Sequence, residues 1–374
     1  MSDTGITAIV MPKWGLSMSE GRVGDWIADV GEQVNVGDDI LDVETDKIAS
    51  SVEATQAGVL RRKVGQFDQV IPVGGLLGVL ADPDISDGDI DAFIEDFQAN
   101  FVPEEADQED DAQSAYATIT IGTTRLRYLQ QGNGEQNILL IHGFGGDIDN
   151  WLFNINDLSA KATVYALDLP GHGQSSKDVS DGSLGALAGQ VVDFMNEVDC
   201  SLAHLVGHSL GGAVAQQIAI DHAQHVKSLS LIASAGIGDE INQTYIDGFI
   251  QSNSRRQLKP FVQSLFADME LVNRQMIDDI LKYKRLDNAN QALQVIADAN
   301  FVEGKQQSLP LYQLMEAGFP LQIIWGREDK IIPVSHASTC EQKCPVKIIA
   351  DAGHMVHMEA SSEVNNLLIE FMKL

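Results

Sequence analysis

The sequence predicts two domains of different class, a small all-β sandwich followed by a larger α/β domain with a mostly parallel sheet. Residues 1–80 contain short β-type runs separated by turn glycines, whereas residues 116–374 alternate apolar strands with helical patterns. Residues 81–115 hold 13 acidic side chains and no basic one, which indicates an acidic linker. Residues from about 238 to 313 show helical patterning without clear strands, and we expect a helical lid there, over the carboxyl edge of the sheet.

The first domain contains an imperfect internal repeat. The valine and glycine pattern of residues 30–40 returns in residues 64–77. Two similar halves made of short strands are typical of a β-sandwich with quasi-twofold symmetry. Within the linker that follows, apolar residues recur at helical spacing after Ser86, and they predict a short amphipathic helix that contains Ile90, Phe93, Ile94 and Phe97.

Composition limits the classes of partner and of location. The 374 residues carry a formal charge of −30, and such an acidic chain repels nucleic-acid phosphates and anionic membranes. No stretch reaches the roughly 20 apolar residues of a membrane-spanning helix, and residues 1–11 lack the basic start of an export signal. Cys200, Cys340 and Cys344 fit a reducing compartment and complete no metal site. We therefore expect a cytoplasmic protein without a metal and without nucleic-acid or membrane partners.

A lysine stands near the tip of a predicted hairpin. Residues 40–54 form two β-type runs, joined by a Glu-Thr-Asp-Lys turn that ends at Lys47. Together with residues 11–15, this pattern resembles the lipoyl domain of the 2-oxo-acid dehydrogenase family. The resemblance implies a covalently bound lipoate on Lys47, where a protruding amine can carry a dithiolane between active sites. A biotin carrier is the nearest alternative, but such domains present Met-Lys-Met, whereas Asp46 and Ile48 flank this lysine.

The most specific catalytic signal surrounds Ser209. An apolar strand at residues 202–206 runs into a Gly-His-Ser-Leu-Gly sequence at residues 207–211, and residues 213–220 then indicate a helix. This is the Gly-x-Ser-x-Gly nucleophile elbow in the strand–turn–helix context that the motif requires. Its glycines are needed because the serine adopts a strained turn in which neighbouring side chains would collide. We therefore predict Ser209 as the nucleophile.

A serine nucleophile needs a base and an orienting carboxylate, and here the acid is expected before the histidine in the chain. The predicted strand at residues 321–325 is followed by Glu328 and Asp329, and spacing alone does not separate these two acids. Asp329 is preferred because residues 326–329 resemble the Gly-x-x-Asp pattern of the α/β hydrolases. His354 then supplies the base, and we expect His357 to be structural.

A glycine-rich loop follows the first strong strand of the second domain, where the α/β-hydrolase fold places its oxyanion loop. We expect the backbone amides of Phe144 and Leu210 to form the oxyanion hole. Phosphate binding is an alternative for such a loop, but no Gly-Lys-Ser or Gly-x-Gly-x-x-Gly sequence follows. The Asp-Leu-Pro-Gly-His-Gly segment that contains His172 matches a structural turn of the same fold, and a general-base role for His172 is an open alternative.

The combination of a lipoyl arm and a serine acyl-transfer site resembles the dihydrolipoamide acetyltransferase components of acetoin dehydrogenase (acetoin-cleaving) systems over nearly the full length. Conventional acyltransferase components end in a domain with a His-x-x-x-Asp-Gly motif, which this sequence lacks. The resemblance implies transfer of an acetyl group from S-acetyl-dihydrolipoyl-Lys47 to coenzyme A, with Ser209 carrying the acetyl group, His354 moving the proton and Asp329 holding the imidazole. It also implies a thiamine-diphosphate-dependent acetoin dehydrogenase component and a dihydrolipoamide dehydrogenase as partners, and a homo-oligomeric assembly.

Two alternative functions remain open at this point. The first is a thioesterase or esterase that carries a lipoyl arm, with water as the acyl acceptor. The second is a lipoyl carrier attached to a non-catalytic hydrolase-fold scaffold. No coenzyme A site is evident from the sequence, and Arg255-Arg256 with Lys259 is the candidate basic patch for its phosphates.

Overall fold

The computed structural model describes residues 5–12, 20–44, 49–101, 116–306, 309 and 320–374. The chain divides into two compact units, Met1–Gln113 and Ser114–Leu374. Each unit has a hydrophobic core of its own. The predicted fold class, a β-sandwich followed by an α/β domain with a helical lid, is confirmed. The domain boundaries near residues 80 and 115 stay predictions.

Eight short strands build the described part of the first unit: β1 (Ile6–Val10), β2 (Glu20–Trp26), β3 (Gln33–Val34), β4 (Asp39–Glu44), β5 (Ala49–Glu53), β6 (Gly58–Lys63), β7 (Val70–Pro72) and β8 (Leu76–Ala81). They form two four-stranded sheets with the orders β1-β8-β6-β3 and β5-β4-β2-β7. Alternating side chains of both sheets meet in one core, where the fully buried residues include Ile40, Leu41, Val43, Leu60 and Leu77.

The hairpin predicted to carry the modified lysine is formed by β4 and β5. Their antiparallel register places Val43 opposite Ser50 and Glu44 opposite Ala49. Residues 45–48 connect the two strands in the chain. Lys47 is one of them, and it lies outside the described residues.

The helix predicted within the linker spans Asp87–Asn100 (α1) and packs within the first unit. The Ser86 hydroxyl accepts a hydrogen bond from the first turn, which is a preferred N-cap arrangement. Ile90 is fully buried against β8, and Arg62 binds the Asp91 carboxylate at 3.0 Å. This part of the predicted linker is therefore folded on the sandwich. Residues 102–115 lie outside the described residues.

Eight strands form the sheet in the described part of the second unit: β9 (Tyr116–Ile121), β10 (Thr124–Gln131), β11 (Asn137–Ile141), β12 (Thr163–Leu167), β13 (Ala203–His208), β14 (Val226–Ile232), β17 (Leu321–Gly326) and β18 (Val346–Ile349). Their order in the sheet is β18-β17-β14-β13-β11-β12-β10-β9. Strands β9 and β10 pair antiparallel, as do β10 and β12, and the remaining neighbours are parallel. The central strands are buried along their whole length, which is typical of a parallel sheet covered by helices.

Two groups of helices accompany this sheet. The first group connects the sheet strands and ends the chain: α2 (Leu152–Ser159), α3 (Leu184–Glu197), α4 (Leu210–Asp221), and after the lid α9 (Ser335–Ser338), α10 (Val356–Glu359) and α11 (Ser361–Met372). The second group lies between β14 and β17 and forms the lid, which we call the cap: α5 (Gln243–Gln251), α6 (Arg255–Gln263), α7 (Arg274–Lys284) and α8 (Ala289–Asn300). Within the described residues, no helix is both long and apolar enough to span a bilayer.

The cap differs from the prediction in one detail, since it contains a short hairpin that the sequence did not indicate. Its strands are β15 (Phe301–Val302) and β16 (Lys305–Gln306). The two residues between them, Glu303 and Gly304, both have positive φ, at 55° and 74°. Two consecutive residues of this kind form the tight turn that suits a hairpin. With only two residues in each strand, no alternating apolar pattern could reveal it.

Candidate active site

Ser209 occupies the sharp turn between β13 and α4. Its φ of +52° and ψ of −120° strain the backbone of any residue other than glycine. Two main-chain hydrogen bonds hold the turn: Ser209 N donates to Ile232 O, and Ala235 N donates to Ser209 O, both at 3.0 Å. A Cβ atom at Gly207 would collide with the carbonyl oxygen of Gly211, and a Cβ at Gly211 would collide with β11. The small residues of the motif are therefore required by close main-chain packing.

Asp329 and His354 form a buried pair. His354 Nδ1 lies 2.8 Å from Asp329 Oδ2, and the Asp329 side chain is completely buried. The other carboxylate oxygen accepts hydrogen bonds from the amides of Ile331 and Ile332, at 2.8 and 3.0 Å. A carboxylate that binds the Nδ1 proton orients the ring and leaves Nε2 able to accept a proton. Of the two acids that the sequence left open, Glu328 is exposed, so the geometry favours Asp329.

His208 connects the nucleophile turn with the loop that carries His354. Its Nε2–H group donates to the carbonyl oxygen of His354 at 2.9 Å, and the two ring centroids are 4.8 Å apart. Because His208 directly precedes Ser209, this contact brings the main chain of the histidine loop beside the nucleophile turn. This role was not predictable from the sequence, since His208 fills a variable position of the elbow motif and its partner is 146 positions away.

The predicted oxyanion loop runs beside Ser209. A Cβ atom at Gly143 would stand 3.0 Å from Ser209 Cβ. Gly146 N donates to Gly143 O at 3.1 Å and closes a turn that contains Phe144. Across the part of the chain that the structure describes, neither the Phe144 amide nor the Leu210 amide donates a hydrogen bond to another protein group. Two unpaired amides next to the predicted nucleophile suit the stabilisation of a developing oxyanion.

His172 packs beside this loop. Its ring meets the Phe144 ring edge-on, with centroids 6.0 Å apart, and its Nδ1–H donates to Pro170 O at 3.0 Å. Burial holds the pKa of His172 well below its usual range, so the ring is neutral. Among the described residues, no carboxylate hydrogen-bonds to this imidazole. The arrangement favours a packing role for His172 over the general-base alternative.

His357 packs against His208, the residue directly before Ser209. Its ring centroid is 4.6 Å from that of Trp151 and 4.5 Å from that of His208, and the side chain is completely buried. Burial lowers the pKa of His357 to about 3, so this ring is neutral at ordinary pH. A neutral ring packed between two others supports the structural role that the sequence suggested.

The cap covers the oxyanion loop with aromatic side chains. The Phe249 ring of α5 packs so closely that a Cβ atom at Gly145 would collide with it. Phe144 meets the rings of Phe249 and Phe301 edge-on, with centroids 6.2 and 5.8 Å apart. These three phenylalanines are at most 8% exposed, so water is excluded on this side of the site. The cap is thus part of the site.

A buried lysine, Lys284, holds this aromatic wall in place. Its ammonium donates to the carbonyl oxygens of Phe249 and Ile250 at 2.8 and 3.0 Å, and to Asn290 Oδ1 at 2.7 Å. The positive charge thereby meets the carboxyl end of α5, where the helix dipole is negative. Burial lowers the pKa of Lys284 to about 8. Sequence analysis missed this residue because an isolated lysine in a helix is usually a solvated side chain.

The basic patch suggested for coenzyme A lies on α6 of the cap. The Arg255 guanidinium pairs with the Asp278 carboxylate through both of its oxygens, so its charge is neutralised within the cap. Arg256 and Lys259 are exposed. Within the described ranges, no cluster of three or more His, Cys, Asp or Glu side chains could hold a metal ion, and Cys340 and Cys344 belong to no such cluster.

Comparison with known proteins supports both domains. The α/β hydrolase fold family matches residues 136–361, and the biotin and lipoyl family, described as biotin-requiring enzymes, matches residues 7–80. Among solved structures, a meta-cleavage product hydrolase from Pseudomonas fluorescens superposes with a TM-score of 0.63 and covers 69% of this chain and 97% of the other. At 20% sequence identity, that likeness shows the fold alone.

Two relatives match the chain over nearly its full length. The dihydrolipoyllysine-residue acetyltransferase component of the acetoin cleaving system of Cupriavidus necator is 48% identical over 363 residues, which cover 97% of this chain and 96% of the relative. The protein of the same name from Pseudomonas putida is 45% identical and covers 98% of this chain and 99% of the relative. With both domains and the whole length shared, the chain belongs to the family of dihydrolipoyllysine-residue acetyltransferase components of acetoin cleaving systems.

Proposed function

We propose that this chain moves an acetyl group from S-acetyl-dihydrolipoyl-Lys47 to coenzyme A, with Ser209, His354 and Asp329 as the catalytic triad. The observation that carries the proposal is the buried Asp329–His354 pair beside the strained turn of Ser209, in a chain that also contains a lipoyl-family domain. The names of the two full-length relatives support the acetyltransferase activity.

The first unit fits a lipoyl attachment. Strands β4 and β5 are paired up to Glu44 and Ala49, and the β4 residues Leu41 and Val43 are anchored in the core. A short connection on a rigid hairpin is what a carrier amine requires. When bound to Lys47, lipoate supplies a thioester sulfur that can carry an acetyl group.

The second unit performs the transfer in two steps, acylation of Ser209 and then transfer of the acetyl group to coenzyme A. Ser209 Oγ attacks the thioester carbonyl while His354 Nε2 takes the hydroxyl proton, and the amides of Phe144 and Leu210 stabilise the negative oxygen. The carbon–sulfur bond then breaks, and His354 returns the proton to the leaving sulfur. The coenzyme A thiol next attacks the acetyl-Ser209 ester, His354 takes the thiol proton, and this proton returns to Ser209 Oγ as the ester bond breaks. Asp329 orients the imidazole throughout.

The acetyl-serine ester must be protected from water between these steps. The aromatic wall of Phe144, Phe249 and Phe301 provides a dry surface next to the oxyanion loop. For coenzyme A, the exposed Arg256 and Lys259 of the cap are the candidate partners of its phosphates, because the rest of the chain is strongly acidic.

The test follows the acetyl group from acetylated lipoyl chain to coenzyme A or to water, in the native chain and in Ser209→Ala. We expect the variant to lose transfer by about 10³-fold or more, because the hydroxyl forms the intermediate. Transfer to coenzyme A that survives the substitution unchanged would refute the serine mechanism and leave the carrier role intact.

A thioesterase that carries a lipoyl arm is the second candidate. It is favoured by the match to the α/β hydrolase fold family, since the same triad can deliver the acyl group to water. The same experiment separates the two activities, because free acetate instead of acetyl-coenzyme A would be the product. A lipoyl carrier with a non-catalytic hydrolase-fold scaffold is the third candidate function. Unchanged rates of acetyl transfer in Ser209→Ala would support it.

The wider system is part of the proposal. Members of this family are named as one component of an acetoin cleaving system, which implies that the system has other components. We propose a thiamine-diphosphate-dependent acetoin dehydrogenase component as the source of the acetyl group, a dihydrolipoamide dehydrogenase as the enzyme that reoxidises the arm, and a homo-oligomeric assembly. The free thiols of Cys200, Cys340 and Cys344 support a reducing, cytoplasmic setting.

A further inference from the structure

Glu359, the last residue of α10, joins the catalytic-histidine loop to the cap. Its Oε2 atom accepts a hydrogen bond from the amide of Gly353 at 2.7 Å. Its Oε1 atom accepts one from Ala267 at 2.7 Å and a longer one from Asp268 at 3.4 Å. One carboxylate therefore binds the residue just before His354 with one oxygen and the cap segment that follows α6 with the other.

The residue after His354 is bound to the same cap segment. Met355 N donates to Leu265 O at 3.1 Å. Gly353 packs directly against the segment, since a Cβ atom there would stand only 2.7 Å from Ala267 N and 2.8 Å from Leu265 O. Both neighbours of His354 are thus fixed to residues 265–268, and a displacement of this segment would displace the imidazole.

The same cap segment is mechanically connected to the wall over the oxyanion loop. It follows α6, whose Phe261 ring occupies the space at Gly248 of α5. The next residue of α5, Phe249, packs against the oxyanion loop at Gly145. A continuous series of packed residues therefore runs from Glu359 through α6 and α5 to the loop that holds Phe144. Closure of the cap and placement of His354 therefore depend on the same packed residues.

The chemistry of Glu359 favours a specific role over simple packing. Burial raises the pKa of its carboxyl group, and hydrogen bonds from main-chain amides of two segments offset only part of that increase. Only a carboxylate can accept hydrogen bonds with both oxygens, whereas glutamine has one acceptor oxygen and one donor nitrogen. Both oxygens are used here, one towards the histidine loop and one towards the cap.

We propose that Glu359 is a positioning residue that couples closure of the cap to the placement of His354, and so sets how acetyl-Ser209 partitions between coenzyme A and water. The inference rests on the proposed function. The Glu359 carboxylate acts as a clamp between Gly353 and the cap segment 265–268. With this clamp intact, the imidazole is aligned only while the cap excludes water. With the clamp broken, the cap can open while the ester is present, and water competes with the thiol.

The test compares Glu359→Gln with Glu363→Gln in the full chain. Glu363 is a matched control, because its exposed carboxylate lies four residues later and pairs with Lys347 on the surface. p-Nitrophenyl acetate serves as the acetyl donor, so that the arm is not needed. The measured quantities are the rate of nitrophenol release and the ratio of acetyl-coenzyme A to free acetate at fixed coenzyme A. Thermal unfolding of each variant is recorded alongside.

We expect Glu359→Gln to acylate roughly 10-fold more slowly and to shift the product ratio towards acetate by about 5-fold or more. Glu359→Asp keeps the charge but is one methylene shorter, so it should shift the ratio in the same direction. Glu363→Gln should behave as the native chain. A lower unfolding temperature of Glu359→Gln with an unchanged product ratio would mean a purely structural role, and would overturn the coupling.

A second measurement covers the case in which the Glu359 variants do not fold. Hydrogen exchange of the native chain is followed in peptides that contain residues 265–268 and 353–355, before and after acetylation by the ester. Coupling predicts that the two segments change their protection together, and independent changes would overturn it. A native chain that forms no acetyl-coenzyme A from the ester refutes the proposed function instead, whatever the Glu359 variants do.

Discussion

The two units place their functional residues in contrasting ways. In the first unit, Lys47 is one of the four residues that connect the paired strands β4 and β5 in the chain, so the carrier site belongs to one local hairpin. In the second unit, the proposed triad is assembled from loops after three different strands, and the contact between His208 and His354 joins residues 146 positions apart. A carrier site can therefore be removed by one local change, whereas the reaction centre depends on many distant contacts.

Removal of the carrier amine should have the largest effect. Lys47→Arg cannot form a lipoyl amide, so transfer from the chain's own arm should fall below detection. Hydrolysis of p-nitrophenyl acetate should keep its native rate, because that reaction uses only the second unit. Both rates are measured on the same preparation, and mass spectrometry checks whether each chain carries the lipoyl group. A parallel loss of ester hydrolysis would contradict the separation of the two sites.

Substitution of the orienting acid should have the next largest effect. Asp329→Asn should lower kcat of ester hydrolysis by roughly 10³- to 10⁴-fold, because the amide favours the wrong tautomer of His354. Glu328→Gln is the control, since Glu328 is exposed and should retain native kcat. Steady-state kinetics distinguishes the two residues that spacing left open. Equal losses in both variants would remove Asp329 from the proposed triad.

Packing of α1 on the sandwich is local to the first unit and should respond to a single substitution. Ile90 is fully buried against β8, and Ile90→Ala should weaken that docking by about 3 kcal/mol. Hydrogen exchange over residues 87–100 should then become roughly 100-fold faster, while ester hydrolysis is unchanged. Arg62→Gln removes only partly exposed ion pairs and should cost less than about 1 kcal/mol. Unchanged exchange in Ile90→Ala would mean that α1 does not depend on this contact.

An effect smaller than that of Ile90→Ala is a pH dependence carried by His357. Burial lowers its pKa to about 3 in the folded chain, whereas an unfolded histidine titrates near 6.5, so the unfolded state binds more protons between these values. Stability should therefore fall as the pH drops from 7 to 5, by roughly 2 kcal/mol from this one group. His357→Phe keeps a ring in place and removes the titration. Urea unfolding of the second unit at both pH values measures the difference.

Comparison of the native chain with this variant is necessary because another buried group acts in the opposite direction. Burial raises the pKa of Asp147 to about 8, so its protonated form favours the folded state at lower pH. The difference between native chain and variant isolates His357. An identical pH dependence in both proteins would contradict the assigned neutral state of His357.

The parts of the site that were visible in the sequence are those encoded by neighbouring residues. The elbow around Ser209 needs a strand, small residues and a helix in direct succession, and all three can be read from one short segment. The helix Asp87–Asn100 was visible for the same reason, because its cap and its apolar face follow each other closely. The fold class followed from two different periodicities on either side of an acidic segment.

The parts that were not visible depend on contacts between distant segments. Glu328 and Asp329 are adjacent, and only the fold decides which carboxylate faces the imidazole. No sequence pattern distinguishes Glu359, because its carboxylate binds the amide of Ala267, which is 92 positions away. The same holds for Lys284, because two of its three hydrogen-bond acceptors are main-chain carbonyl oxygens, which no residue type reveals. Such contacts are set by tertiary packing.

Trapping the acetyl group on Ser209 tests the serine mechanism directly. The native chain is mixed with an acetyl donor in the absence of coenzyme A, quenched in acid, and digested, and the peptide that contains Ser209 is weighed by mass spectrometry. The serine mechanism predicts acetylation of Ser209 that forms at least as fast as overall transfer and disappears when coenzyme A is added, with an equal yield of acetyl-coenzyme A. Formation of acetyl-coenzyme A while Ser209 never carries an acetyl group would contradict it.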